Sequence, residues 1–508
     1  MKNGKKNVVV IMTDQQRSDV RALEGYPLDT TPFLDSLAQN GTWFDKAYTT
    51  MPICGPARTS LLTGCWPSAH RVSGNFCLDQ AVYEKDLFDV AKEQGYATAL
   101  IGKNHSYLRP EQKTDFCLEQ GHWGGFGPQR TDEEKAYDGW LKTLSQVSME
   151  ATPFPLHCQL PYRAVSAAQS WIREQREQQE QQREQPFMMW LSFPEPHNPY
   201  QAPEPYYSMF DPEELPPLRA KEDERDRKGE KWKFYGDQIE HFLPDYKERI
   251  PRARSNYLGM LRLIDDQIRR FVQFLEDEAL LENTLIVFVS DHGDFVGEYE
   301  LIKKGPEAPD ILTRIPLQFY GPGVAASASP HPAHVSLADI MPTVCEAMGS
   351  PIPASVQGRS LWPILAGGDY PEREFQSVFA EHGYGGLYHV NGDEPQFDLV
   401  GKVTNGVALF NELNRYTQSG WLRTVRKGDW KLNLDMHGRG ELYQIARDPL
   451  ELNNLFGQEA SRDVEREMLA ELCTWMIRVQ APTLPEGKEY PLKRDFRNYW
   501  FSTKPELR

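Results

Sequence analysis

Four short apolar runs constrain this chain more than any other feature, because each stops abruptly at polar, chemistry-bearing residues. Residues 7–12 run into Thr13-Asp14-Gln15-Gln16, and residues 96–101 run into Gly102-Lys103-Asn104-His105. Residues 186–193 end in Pro194-Glu195-Pro196-His197-Asn198-Pro199, and residues 284–289 end in Ser290-Asp291-His292-Gly293-Asp294. Unbroken apolar runs of this length read as strands buried on both faces, the habit of parallel sheets. Ligands in such sheets sit beyond the carboxyl ends of the strands. The four polar tips are therefore where a site is expected.

Helical patterns separate these runs. Residues 31–41 carry Pro32 near the start and Gly41 at the close, and residues 87–94, 164–185 and 336–349 also read as helices. Residues 257–275 place Leu258, Leu261, Ile264, Ile268 and Phe271 at helical spacing, a core-facing stripe. With residues 42–48 as a further strand, the alternation predicts an α/β fold: a large mixed, mostly parallel sheet sandwiched by helices. From about residue 370 the pattern changes to short alternating strands at 419–426 and 430–434, then a helix at 462–480. We therefore expect two units, residues 1–369 and a C-terminal subdomain at 370–508. Residues 116–161, rich in Gly, Trp and Pro, read as an irregular insertion near the site. Residues 203–249, Pro-rich and then charge-rich, read as a surface excursion. Residues 173–180 are polar all round, as in a solvated helix end.

Composition excludes several classes. The chain has 508 residues, 40% of them apolar, and a formal net charge of -17, which argues against a nucleic-acid partner. No apolar run approaches the ~20 residues of a membrane span. The segment before Asp14 is too short and too soon interrupted for a signal peptide core, so the expected location is cytoplasmic, or periplasmic or secreted if an export signal has been removed. The seven cysteines (54, 65, 77, 117, 158, 345 and 473) lack CxxC spacing, which argues against a disulfide framework or a zinc ribbon.

One further stretch stands apart: Met51-Pro52-Ile53-Cys54-Gly55-Pro56-Ala57-Arg58-Thr59-Ser60-Leu61-Leu62-Thr63-Gly64. Pro56 near the first turn of a helix would set Cys54 at its N-terminus, where partial positive charge favours anions. The Cys-x-Pro-x-Arg pattern followed by Leu-Thr-Gly resembles the signature of the type I sulfatases, in the alkaline-phosphatase-like superfamily. Five other segments resemble that family in the required order. These are the Asp14 tip, Gly-Lys-x-His at 102–105, the His197 loop, Ser-Asp-His-Gly at 290–293, and Lys303-Lys304-Gly305 ahead of Arg314-Ile315-Pro316. The ending Asp448-Pro449-Leu450-Glu451-Leu452-Asn453-Asn454-Leu455 adds to the resemblance.

The resemblance implies that Cys54 is converted to formylglycine by a formylglycine-generating enzyme. It implies a metal held by Asp14, Gln15, Cys54, Asp291 and His292, calcium first and manganese as the alternative because of the imidazole. It gives Arg58, Lys103, His105 and Lys304 to the sulfate and the general-acid role to His197. Spacing favours Lys304 over Lys303 only slightly. Asn75, His382 and His389 are weaker substrate contacts. Gln15 and His292 depart from the commoner Asp and Asn, a departure shared with phosphonate and phosphodiester hydrolases on the same scaffold. The expected activity is hydrolysis of a sulfate ester, on a small anionic saccharide rather than a simple aryl sulfate. The rivals are a phosphonate monoester or phosphodiester hydrolase, and an inactive sulfated-glycan binding protein with Cys54 left as a thiol.

Overall fold

The computed structural model describes residues 5–125, 130–179, 185–385, 392, 396–410, 420–480 and 497–501. Among these, the large sheet runs in the order Thr42–Phe44, Leu317–Tyr320, Thr284–Ser290, Asn7–Asp14, Phe187–Pro196, Ala97–Gly102, Phe116–Gly121 and Gly124–Gly125. The central pairings are parallel, with Val10 opposite both Trp190 and Val287. Antiparallel pairing is confined to the two flanks. The four apolar runs are thus neighbours, and their polar tips emerge along one edge.

Side-chain alternation along Asn7–Asp14 explains the sandwich. Val8 and Val10 join a core with Leu61, Leu62, Phe88 and Val344 on one face, while Val9 and Ile11 meet Trp171, Ile264, Ile268 and Phe271 on the other. The second face is covered by the helices Leu160–Gln179 and Tyr246–Asp277. The latter begins eleven residues earlier than its apolar stripe suggests and runs on through Pro251. The stripe itself is buried throughout. No helix of the described residues is long and apolar enough to cross a membrane.

Two sequence expectations need correction. Residues 116–161 are not simply irregular: Phe116–Gly121 pairs in parallel with Ala97–Gly102, and Asp132–Leu141 is a helix whose Thr131 and Glu134 cap each other. The strand escapes notice because it lies at a flank of the sheet and is only half-buried, so its apolar pattern is weak. Residues 203–249 are also more than a surface excursion. The helix Glu230–Phe242 buries Trp232, Tyr235, Ile239 and Phe242 against Phe295, Tyr299 and Phe410. Its charged residues, exposed except for Lys231, conceal that stripe in the sequence.

The C-terminal strands Ser377–Gly385, Gly420–Lys427, Trp430–Asp435 and Gly440–Gln444 form a separate antiparallel sheet. The helix Arg462–Arg478 packs on it through Leu472 and Trp475, against Phe379, Val425, Leu432 and Leu442. Trp66, just beyond the Cys54 segment, joins this core with its ring 5.8 Å from that of Trp475.

Candidate active site

Cys54 opens the helix Cys54–Thr63, every residue of which is buried, and Ile53 at its N-cap is extended. The Gly55 N–H donates to Asn75 Oδ1 at 2.9 Å. A Cβ at Gly55 would lie 2.5 Å from Leu78 Cδ2 and 2.9 Å from Asn75 Oδ1, so a larger residue would have to push both side chains aside. Asn75 thereby fixes the turn that presents Cys54. Gly64, at φ 66°, closes the helix in the left-handed conformation.

Cys54 Sγ lies 3.3 Å from His292 Nε2 and 3.6 Å from Asp14 Oδ1. Ligand atoms of Asp14, Cys54, Asp291 and His292 all fall within 4.8 Å of one another, and all four residues are buried. The His292 Nδ1 is 2.8 Å from the Gly293 carbonyl, which it meets as a donor. The neutral ring therefore turns a lone pair on Nε2 into the cluster, as a metal-binding imidazole must. Burial, opposed by Asp291, lowers His292 to about 4. Burial alone would raise the Asp291 carboxyl, but His292 and Arg58 outweigh it and hold the group below the ordinary carboxylate range. Two carboxylates and an imidazole around the Cys54 position form a donor set that fits a hard or borderline divalent cation.

Arg58 is turned toward these carboxylates. Its Nε donates to Asp291 Oδ2 at 2.9 Å, its Nη2 to Asp14 Oδ2 at 3.2 Å, and its Nη1 to the Lys103 carbonyl and Ser192 Oγ at 2.9 and 2.8 Å. It clamps four strand tips together, a tie beyond the sulfate role expected of it. Gln15 also differs from a plain ligand. At φ 66°, its backbone N–H donates to Asp291 Oδ1 at 3.0 Å, its carboxamide oxygen accepts from Lys304 Nζ at 2.8 Å, and its nitrogen donates to Asp294. Lys304 is thereby placed at the site. Lys303 instead meets the Phe410 carbonyl at 3.2 Å and lies over the Phe410 ring at 4.2 Å. Two consecutive lysines thus point to different places, and Lys303 itself has a positive φ of 62°.

Lys103 Nζ contacts Asp14 Oδ2 and lies 2.9 Å from His122 Nε2. His122 stacks on His197. His105, at φ 43°, lies edge-on to His122 with centroids 6.4 Å apart. Burial, aided by Lys103 and other nearby cations, keeps His105 and His122 neutral; for His197 burial is joined by His122 and Lys304. The His197 Nδ1 meets the Asn198 carbonyl at 2.6 Å. His382 is buried beside Gly305 and lowered to about 3, chiefly by burial. His389 lies outside the described residues.

Sequence reasoning passed over His122, Tyr200 and Asp294. Tyr200 Oη donates to Asp294 Oδ2 at 2.8 Å, joining the Gln15 network. His122 follows the strand Phe116–Gly121 directly, so recognising that strand would have exposed it as a fifth polar tip.

A helix-covered, mostly parallel sheet whose tips gather carboxylates, an imidazole and lysines around a helix-borne Cys54 defines an alkaline-phosphatase-like hydrolase. The chain belongs to the sulfatase family: the family model described as Sulfatase matches residues 6–350. An arylsulfatase of Clostridium perfringens (strain 13 / Type A) is 28% identical over 488 residues, covering 90% of this chain and 92% of its own length. The solved phosphonate monoester hydrolase of Agrobacterium radiobacter has a TM-score of 0.72 at 22% identity, with 94% of this chain and 96% of that one covered. A solved 2-O GAG sulfatase gives 0.68 at 20% identity, with 94% and 93% covered.

Proposed function

We propose that this protein hydrolyses sulfate esters on carbohydrate, with residues 1–369 as the catalytic unit and a nucleophile derived from Cys54. The observation that carries this reading is the 3.3 Å approach of Cys54 Sγ to His292 Nε2 inside a buried carboxylate cluster, in a chain of the sulfatase family. Oxidation of Cys54 by a formylglycine-generating enzyme would supply a hydrated aldehyde as nucleophile. Asp14, Asp291 and His292 would hold a divalent cation, calcium or alternatively manganese, which when bound lowers the nucleophile's pKa and neutralises ester oxygens.

The remaining roles belong to the chain's own residues. Arg58 holds Asp14 and Asp291 in place, while Lys103 and Lys304 bring positive charge to the sulfate against an overall acidic protein. Gln15 in place of a second carboxylate leaves the site one negative charge poorer and orients Lys304. His197 is the general acid. Because its Nδ1–H is committed to Asn198, Nε2 carries a proton only in the imidazolium form, so substrate charge must draw that proton in before the alcohol departs.

Mass analysis of the Cys54 peptide, together with turnover of sulfated mono- and disaccharides beside phosphate diesters and phosphonate monoesters, tests the reading. Formylglycine with preferred sulfate turnover is expected. Preferred phosphonate or diester turnover would establish the alternative that Gln15 and His292 favour. An unmodified thiol, in protein from a host with maturation machinery, with glycan binding and no turnover would leave a binding protein.

A further inference from the structure

A cavity of about 410 Å³ opens beside His197 and is larger than a sulfate group needs. Trp123, Gln146 and Lys303 line it, and its far wall is the hairpin of Gly401–Thr404 and Val407–Phe410. This wall is fastened to the catalytic residues at two points. The Gln146 side chain donates to the Ala408 carbonyl at 2.6 Å and accepts from Asn198, the neighbour of His197. Lys303, the neighbour of Lys304, donates to the Phe410 carbonyl. The hairpin is therefore tied to the segments that carry the leaving-group histidine and the sulfate lysine.

The chemistry of the lining is mixed in a particular way. Trp123 offers an aromatic surface suited to the C–H face of a sugar. Lys303, 5% exposed, lies over the Phe410 ring, and Lys402 adds a second, exposed cation. Asp398 is the acid of the lining, and it is 3.4 Å from His241. Positive charge on this wall stands out on a chain of net charge -17.

We infer that this cavity seats the leaving group, and that the group it selects is a saccharide carrying a second anion, a carboxylate. The inference rests on the sulfatase reading and narrows its substrate class. His197 Nε2 serves the ester oxygen, Trp123 covers the sugar, and Lys303 and Lys402 receive the second charge.

The test compares kcat/KM for two sulfated saccharides that differ only in a uronate carboxylate on the leaving-group sugar. The wild-type protein is expected to prefer the carboxylated one, and the preference should shrink as salt rises. Lys402→Glu should cut that preference at least about tenfold, mainly through KM, and Lys303→Met should also reduce it. Equal turnover of the two sugars by the wild type, or an unchanged preference in Lys402→Glu, overturns the cavity assignment while sulfate turnover persists. No sulfate turnover by the wild type alongside phosphonate turnover overturns the sulfatase reading, and this inference with it.

Discussion

The rings of His122 and His197 lie face to face, with centroids 3.5 Å apart and planes inclined by 18°. On its other side His122 Nε2 is 2.9 Å from Lys103 Nζ. An ammonium only donates, so Nε2 accepts and the His122 proton sits on Nδ1. His122 thus joins the proposed sulfate lysine to the proposed general acid. His122→Ala should lower kcat on poor leaving groups about 10- to 100-fold, and much less on activated aryl sulfates. His122→Phe keeps a ring against His197 but loses the lysine acceptor, so it should mainly raise KM. Steady-state kinetics across a leaving-group series separates the two effects; full activity in His122→Phe beside a loss in His122→Ala would reduce His122 to packing.

Arg58 binds two carboxylates through different nitrogens, a geometry that a lysine cannot reproduce. Arg58→Lys should weaken divalent-cation binding about 10- to 100-fold, as expected for a residue that orients ligands, and titration calorimetry with calcium and with manganese measures this directly. Arg58→Met, which strips the guanidinium from buried Asp291 and leaves Asp14 with Lys103 alone, should cost about 3–5 kcal/mol in metal-free protein by chemical denaturation.

Lys304→Ala should reduce kcat/KM on every sulfate ester by about 10²- to 10³-fold, because a preorganised cation at the ester is lost. Lys303→Ala should instead act on selectivity among saccharides. Comparable general losses in both variants would contradict the separation seen between Gln15 and Phe410 as their partners.

His70 provides a pH test away from the metal cluster. Buried, with Nε2 3.0 Å from Ser60 Oγ, it is lowered to about 3 by burial. Between its unfolded value near ~6.5 and that folded value, the unfolded chain binds a proton that the folded chain refuses, so stability falls as pH falls. Replacing His70 with Asn should flatten the acid limb by about 1.4 kcal/mol per pH unit, one proton's worth. Denaturant midpoints from pH 7 to 4 measure the slope.

Legibility followed burial. The central strands were readable because both their faces are covered, which leaves an unbroken apolar run and a sharp polar tip. The flank strand Phe116–Gly121 was not, because it is half-buried and its apolar residues are interrupted by polar ones, and His122 was lost with it. The helix Glu230–Phe242 was hidden by its charges, although Trp232, Tyr235, Ile239 and Phe242 follow helical spacing.

The sequence by itself determined the layered α/β class, the four principal tips and the family, since each is written in contiguous residues. Only the tertiary structure decided what each tip residue faces: Arg58 toward Asp14 and Asp291, Gln15 toward Lys304 and Asp294, and Lys304 rather than Lys303 at the cluster. These choices depend on side-chain directions helped by single backbone angles, such as φ 66° at Gln15 and 62° at Lys303, and on partners that lie from 44 to 289 residues away. Local spacing carries no information about either.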